Sequence, residues 1–204
     1  MKKLHRCIIN SCILKALTVS LFTLVLSACD NEQSDSGKTS SNKQNKIIAM
    51  STDRIGTITA DSVFNMHDIT VAFPDYSVVE ELNYHLGSPY PIIRVSKGVK
   101  TLMIINPDKS QKKIYSVIIE DNLIKNDLGH PLGTDYSKIY TYGQNEECQL
   151  GTEDMAAKVL CYAPKTPNIL YVFNGKGGGN AMPKADVLQG WSLESIIWRP
   201  QAIQ

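Results

Sequence analysis

Aromatic residues make up only 7% of this 204-residue chain, and basic residues barely outnumber acidic ones, 21 to 20. A protein so balanced has neither the stacking platform nor the positive footprint that nucleic-acid binding requires. Several catalytic signatures are missing as well. No Gly-x-Ser-x-Gly elbow offers a strained serine nucleophile. No His-Glu-x-x-His run sets two imidazoles on one helical face for a metal. The apolar run at residues 16–26 is too short to span a bilayer as a helix. Cysteine is scarce, with five residues and no Cys-x-x-Cys pair.

What is present is concentrated at the start. Lys2, Lys3, Arg6 and Lys15 precede the apolar run, which has the charged and hydrophobic regions of a secretory signal. The run ends in Leu26-Ser27-Ala28-Cys29, small residues before a cysteine. That pattern resembles the lipobox of bacterial lipoproteins, and it implies cleavage after Ala28 and acylation of Cys29. One acyl chain binds a bilayer only marginally, at about 0.8 kcal/mol per buried methylene, so the two or three on such a cysteine give a lasting anchor. Asp30 resembles the signal that keeps a lipoprotein at the inner membrane, with the outer membrane as the alternative. The expected location is the periplasmic face of a bacterial membrane, and membrane lipid is the first expected partner.

Removing the leader leaves 17 basic residues against 20 acidic ones, a balance of about −3. Residues 29–46, rich in Ser, Asn, Asp and Lys, hold too little apolar surface to offset chain entropy. They read as a flexible tether with a span on the order of 20 to 25 Å. Residues 47–204 have the length of one domain with a real core.

Cys7 and Cys12 leave with the signal, so Cys148 and Cys161 remain as an even pair in an oxidising compartment. A structural disulfide is the simple reading. The competing readings are a redox pair, which usually stands as Cys-x-x-Cys, and a zinc site, which needs further ligands nearby.

Apolar segments in the domain are short, β-branched and bounded by turn residues. Residues 90–96, 99–105 and 112–120 are expected to form an antiparallel meander, with Pro89 and Pro91 marking a sheet edge or a strand start. The third of these is apolar on both alternating sets, which predicts cover on both faces. Later strands are expected at 159–162, 169–173 and 193–198. Helical signals are shorter: Asp61 or Ser62 capping a segment to Ala72, Thr134 or Asp135 capping a turn or two to Tyr140, and Pro183 starting a segment with Leu188 inside and Gly190 at its end. The fold class expected is mainly β, an antiparallel sandwich or strongly curved sheet with a few short helices.

Candidate chemistry is thin. His67, His85 and His130 lack a second ligand at metal spacing, and no metal or cofactor is expected. The acid pairs Glu80-Glu81, Glu146-Glu147 and Glu153-Asp154 would point to opposite faces if they lay on strands, which suits solvated charge better than a shared cleft. Gly175, Lys176, Gly177, Gly178 and Gly179 form the most conspicuous loop. It is not a P-loop, because Leu170 stands where the first glycine belongs and Gly177 replaces the hydroxyl residue. It reads as a connection, or else as a mobile binding loop. Trp191 and Trp198, with Leu193 and Ile197, are expected to seal the core.

Several phrases in order resemble the RpoE-regulated lipoproteins, an exported family defined by a domain of unknown function. They are residues 56–60, then Leu132-Gly133-Thr134, Tyr136-Ser137, Ile139-Tyr140, Cys148-Gln149, Cys161, Tyr171-Val172-Phe173 with Gly175, Met182-Pro183, Trp191 and residues 196–199. Residues 74–90 and the tether depart from that pattern. The resemblance implies a β-rich envelope lipoprotein produced in connection with envelope stress, and it implies no activity. The expected function is therefore non-enzymatic binding of an envelope protein or cell-wall component. The alternative is a periplasmic hydrolase or enzyme inhibitor acting through residues 146–154.

Overall fold

A computed structural model describes residues 47–143 and 147–200. The leader, Cys29, the tether residues 30–46 and Glu146 lie outside the described residues.

The elements run in the order β1 (Ile48–Met50), β2 (Arg54–Ile55), β3 (Ile58–Thr59), α1 (Met66–Ala72), β4 (Ser77–His85), β5 (Ser88–Lys97), β6 (Lys100–Pro107), β7 (Ile114–Ile119) and β8 (Ile124–Asn126). They continue with β9 (Cys148–Leu150), β10 (Val159–Ala163), β11 (Thr166–Asn174), α2 (Ala185–Leu188) and β12 (Ser192–Trp198). Two sheets result. The larger is antiparallel throughout, in the order β4-β5-β6-β7-β12-β11-β10-β9. The smaller has the order β3-β2-β1-β8, with β1 and β8 parallel. This is the mainly β class that short β-branched segments and frequent turn residues imply.

Side-chain alternation explains the core. Registers across the large sheet align Val95, Met103, Ile119, Ile196, Tyr171, Cys161 and Cys148 in one row on one face. The neighbouring row aligns Ile93, Ile105, Val117, Trp198 and Ile169. This face packs with Ile48, Met50, Ile55, Ile58 and Ile124 of the small sheet and Ile69 of α1 in one apolar cluster. The first row ends in the Cys148–Cys161 disulfide, whose cysteines are opposite each other on β9 and β10.

The opposite face has its own smaller cluster, Leu160, Leu170, Val172 and Ile197, with Ile118, Met155 and Tyr162 against it. Cover on both faces of β7 therefore holds for residues 116–119. It fails at Tyr115, 54% exposed, because the register shift between Asn106 and Pro107 pushes that ring out of the ladder.

The 90–96, 99–105 and 112–120 segments form the expected meander, as β5, β6 and β7. The edge beside this meander, however, is β4, where Glu80, Glu81 and Asn83 interrupt the apolar pattern. Pro89 and Pro91 mark a strand start, not an edge. They sit where β5 has not yet met β6, whose pairing begins at Ile93. α1 begins later than expected. Its cap is Asn65, whose Oδ1 accepts from Asp68 N at 3.2 Å, while the Ser62 hydroxyl instead accepts from Thr59 N in the preceding turn. The segment after Asp135 is a single 3₁₀ turn, Tyr136–Lys138, and α2 is one turn with Leu188 buried.

Both tryptophans are core residues. Trp198 is fully buried, and its Nε1 donates to the Thr52 carbonyl at 2.9 Å, where Asn168 Nδ2 also donates at 2.7 Å. The turn between β1 and β2 is thereby pinned to the large sheet. Trp198→Ala is expected to cost about 3 to 5 kcal/mol, measured as a fall in unfolding free energy by urea titration. A loss below 1 kcal/mol would contradict this packing role.

Candidate functional site: a tyrosine-lined cleft closed by a histidine–glutamate contact

The outer face of the large sheet carries a cleft of about 720 Å³. Its floor is Ile118, Ser116 and the displaced Tyr115 of β7. One wall is the end of the β4–β5 hairpin, with His85, Ser88, Pro89 and Tyr90. The turn from Asn106 to Gln111 forms a second wall, and residues 152–155 form the third.

Each wall is held by its own hydrogen bonds. Asp108 organises the β6–β7 turn, since its carboxylate accepts from the Ser110 hydroxyl at 2.8 and 2.9 Å and from Lys112 N and Lys113 N at 3.0 and 3.2 Å. The Lys113 N–H, followed by the Ser110 hydroxyl, holds this carboxyl below its ordinary pKa. Asn83 Nδ2 donates to the Tyr90 hydroxyl at 2.8 Å, fixing that ring, and Asn106 Nδ2 donates to Ser116 Oγ at 3.3 Å. The Arg199 guanidinium lies 5.6 Å from the centre of the Tyr115 ring, within cation–π range.

The third wall is a tight turn. Gly151 N donates to Lys158 O at 2.8 Å, Lys158 Nζ meets Glu194 at 2.6 Å, and Met155 packs on the outer cluster. Glu153 and Ala157 take positive φ values, 52° and 63°, which non-glycine residues adopt only when the surroundings enforce them. Across the cleft mouth His85 Nδ1 lies 3.1 Å from Glu153 Oε2. This contact joins segments attached to the two opposite edges of the sheet, β4 and β9. Two tyrosine rings, a floor of Ile118 and Ser116, and carboxylates on a turn give the cleft a lining of mixed polarity.

Residues named from sequence are distributed unevenly. Glu153 and Asp154 both line the cleft. They belong to a short turn, not a strand, and with Glu153 at positive φ the strand rule of alternating faces does not apply to them. Glu81 is not free charge either. Arg94 Nε and Nη2 both reach its Oε2 at 3.0 Å, and this hydrogen bonding lowers the Glu81 pKa. Glu80 lies in β4, exposed, and Glu147 is exposed before β9. His67 is exposed on α1. Among the described residues no three His, Cys, Asp or Glu side chains gather as a metal site.

The glycine loop is shaped by Trp191. A Cβ on Gly175 would sit 2.3 Å from the indole, one on Gly178 would sit 2.6 Å from Ala157 O, and Trp191 Nε1 donates to Lys176 O at 3.0 Å. Glycine is thus required at Gly175 and Gly178 by close packing. His85, Tyr90 and Tyr115 carried no sequence signal, because the cleft assembles them from turns and from one bulge.

His130 sits away from the cleft in a second polar node. Asn126 Nδ2 donates to the Tyr171 hydroxyl at 3.1 Å and to His130 O at 2.9 Å. The hydroxyl can then donate to His130 Nδ1, 3.0 Å away, which places the ring proton on Nε2. Burial pushes the Tyr171 pKa up to about 12 and pushes that of His130 down.

Residues 36–200 match the profile of DUF1131, described as a protein of unknown function, and the chain belongs to that family. Among solved structures it is similar to the crystal structure of the uncharacterized protein yfeY from Escherichia coli. The two share 28% sequence identity, the TM-score is 0.63, and the match covers 74% of this chain and 98% of the other. No curated protein matches the chain.

The part-buried node makes stability pH-dependent with a defined sign. Because the folded His130 pKa lies below its unfolded value, the unfolded chain takes up the proton first as pH falls. Stability is expected to hold above about pH 6.5 and to drop as pH decreases through that value. In His130→Gln this part of the slope is expected to vanish, as read by urea titrations between about pH 7.5 and 5. Equal slopes in the two proteins would refute the assignment.

Proposed function

We propose that this chain is a non-enzymatic envelope lipoprotein, held on the periplasmic face of a bacterial membrane by acyl groups on Cys29. In this reading its β domain binds an envelope protein or cell-wall component through the Tyr90–Tyr115 cleft, in connection with envelope stress. The charged leader, the small residues before Cys29 and the polar segment 30–46 support the anchor. Asp30 favours the inner membrane. The link to stress rests on the resemblance carried by the motifs at residues 56–60, 132–140 and 196–199.

The observation that carries the binding reading is the state of the polar groups around the cleft. His85 meets Glu153, Asn83 holds Tyr90, Asn106 holds Ser116, and Asp108 holds its own turn. Side chains held in this way, Tyr90 and Ser116 above all, lose little conformational freedom on binding.

Two measurements test this. Mass spectrometry of the protein extracted from membranes is expected to show a chain that begins at Cys29 and carries acyl groups. An intact leader with a free thiol would overturn the anchor. A photo-crosslinking residue at position 115 is expected to give a reproducible adduct in intact cells, weakened by Glu153→Ala, with position 99 as the control. No adduct, or the same adducts from both positions, would remove the cleft as the binding surface.

A further inference from the structure

A terminal strand of a sheet displays a row of unpaired N–H and C=O groups, and native folds blunt it by shortness, charged side chains (lysine above all), proline or a bulge. The two edges of the large sheet are treated in opposite ways. β9 is three residues long and stapled to β10 by the disulfide. β4 is nine residues long, pairs with β5 without a register shift and contains neither lysine nor proline; its charges are Glu80 and Glu81, the second of which is paired with Arg94. It also leaves Leu82 66% and Tyr84 61% exposed.

The hairpin turn settles which β4 groups face outward. Leu86 and Gly87, with φ of 48° and 79°, form a two-residue turn between the paired residues His85 and Ser88. In such hairpins the flanking pair exchanges both backbone bonds, and bonded and non-bonded pairs then alternate. Asn83, Glu81 and Val79 therefore bond to β5, while the N–H and C=O groups of Leu82, Glu80 and Val78 point to the open side, as does the C=O of Tyr84, whose N–H donates to Asn83 Oδ1 at 2.9 Å. The prolines fit this pattern. Pro89 and Pro91 stand opposite Tyr84 and Leu82, so their nitrogens, which have no hydrogen, face the stretch where β6 is absent. Among the described residues no backbone group bonds to the outer side of β4.

We propose that this edge pairs with itself: β4 of a second copy adds antiparallel to β4 about a two-fold axis at Leu82. Self-pairing about such an axis uses the same surface on both copies. With the axis at Leu82, the two exposed leucines face each other at a bonded position, and Glu80 of each copy faces the partner's Tyr84. An axis one residue earlier would set Glu81 against the partner's Glu81, and like charges directly opposite are unfavourable. The Leu82 register avoids that contact and covers apolar surface that the free chain leaves in water.

The test uses the full mature chain extracted in detergent. Light scattering on a sizing column is expected to give the mass of a dimer. Leu82→Cys is expected to form a disulfide-linked dimer on mild oxidation, well above Val99→Cys, whose residue lies on a distant turn and is fully exposed. Leu82→Lys, a charge on the free edge, is expected to give a monomer with unchanged thermal melting. A monomeric wild-type mass, crosslinking at position 82 no better than at 99, or a dimer that survives Leu82→Lys would each overturn the proposal. The crosslinking comparison stands even if the lysine variant folds poorly.

Discussion

Burial of the inner face of the eight-stranded sheet is the constraint on which the rest of the structure depends. That face is apolar along whole cross-strand rows, from Val95 on β5 through Met103, Ile119, Ile196 and Tyr171 to Cys161 on β10. A sheet with such a face must find a second layer. Here the second layer is modest, built from strands of two or three residues and one seven-residue helix. Such pieces cannot hold themselves in place by their own pairing. The Thr52 carbonyl, which receives both Trp198 and Asn168, and the Tyr171 hydroxyl, which meets Asn126 and His130, attach the small layer at two separate points.

Once the inner face is committed, the outer face is free to specialise. Part of it closes over Leu160, Leu170, Val172 and Ile197. The remainder opens into the cleft, and the transition occurs at Tyr115, where one extra residue in β7 turns a ladder position outward. The same register shift that ends the packing supplies the floor of the cleft with an aromatic ring. Met155 links the two regions, because it packs on the outer cluster while its own turn presents Glu153 and Asp154.

Much of the fold was legible in the chain because period-two patterning and turn residues are local signals. Strands β5 to β7 and β10 to β12 stand where β-branched runs end in Gly, Pro or Asn, and the burial of Trp191 and Trp198 follows from their apolar neighbours. β4 was hidden because its apolar residues lie mostly in solvent, so no buried face left a pattern in the sequence. The cleft was hidden for a different reason. Its members come from a hairpin tip, a bulge and a 3₁₀ turn, and their meeting is decided by long-range sheet order, which spacing along the chain does not encode. The glycine loop was conspicuous by composition, yet the cause of its composition, the indole of Trp191, lies up to sixteen positions further along the chain.

The bridge between Cys148 and Cys161 governs more than the short loop it closes. It fastens a three-residue outermost strand, and from that strand the chain passes directly into residues 152–155, the third wall of the cleft. Three residues of pairing offer little cooperativity to hold that wall alone. With both cysteines reduced, that wall would lose its covalent tie to the sheet, so the shape of the cleft is coupled to the oxidation state of a pair that lies outside it.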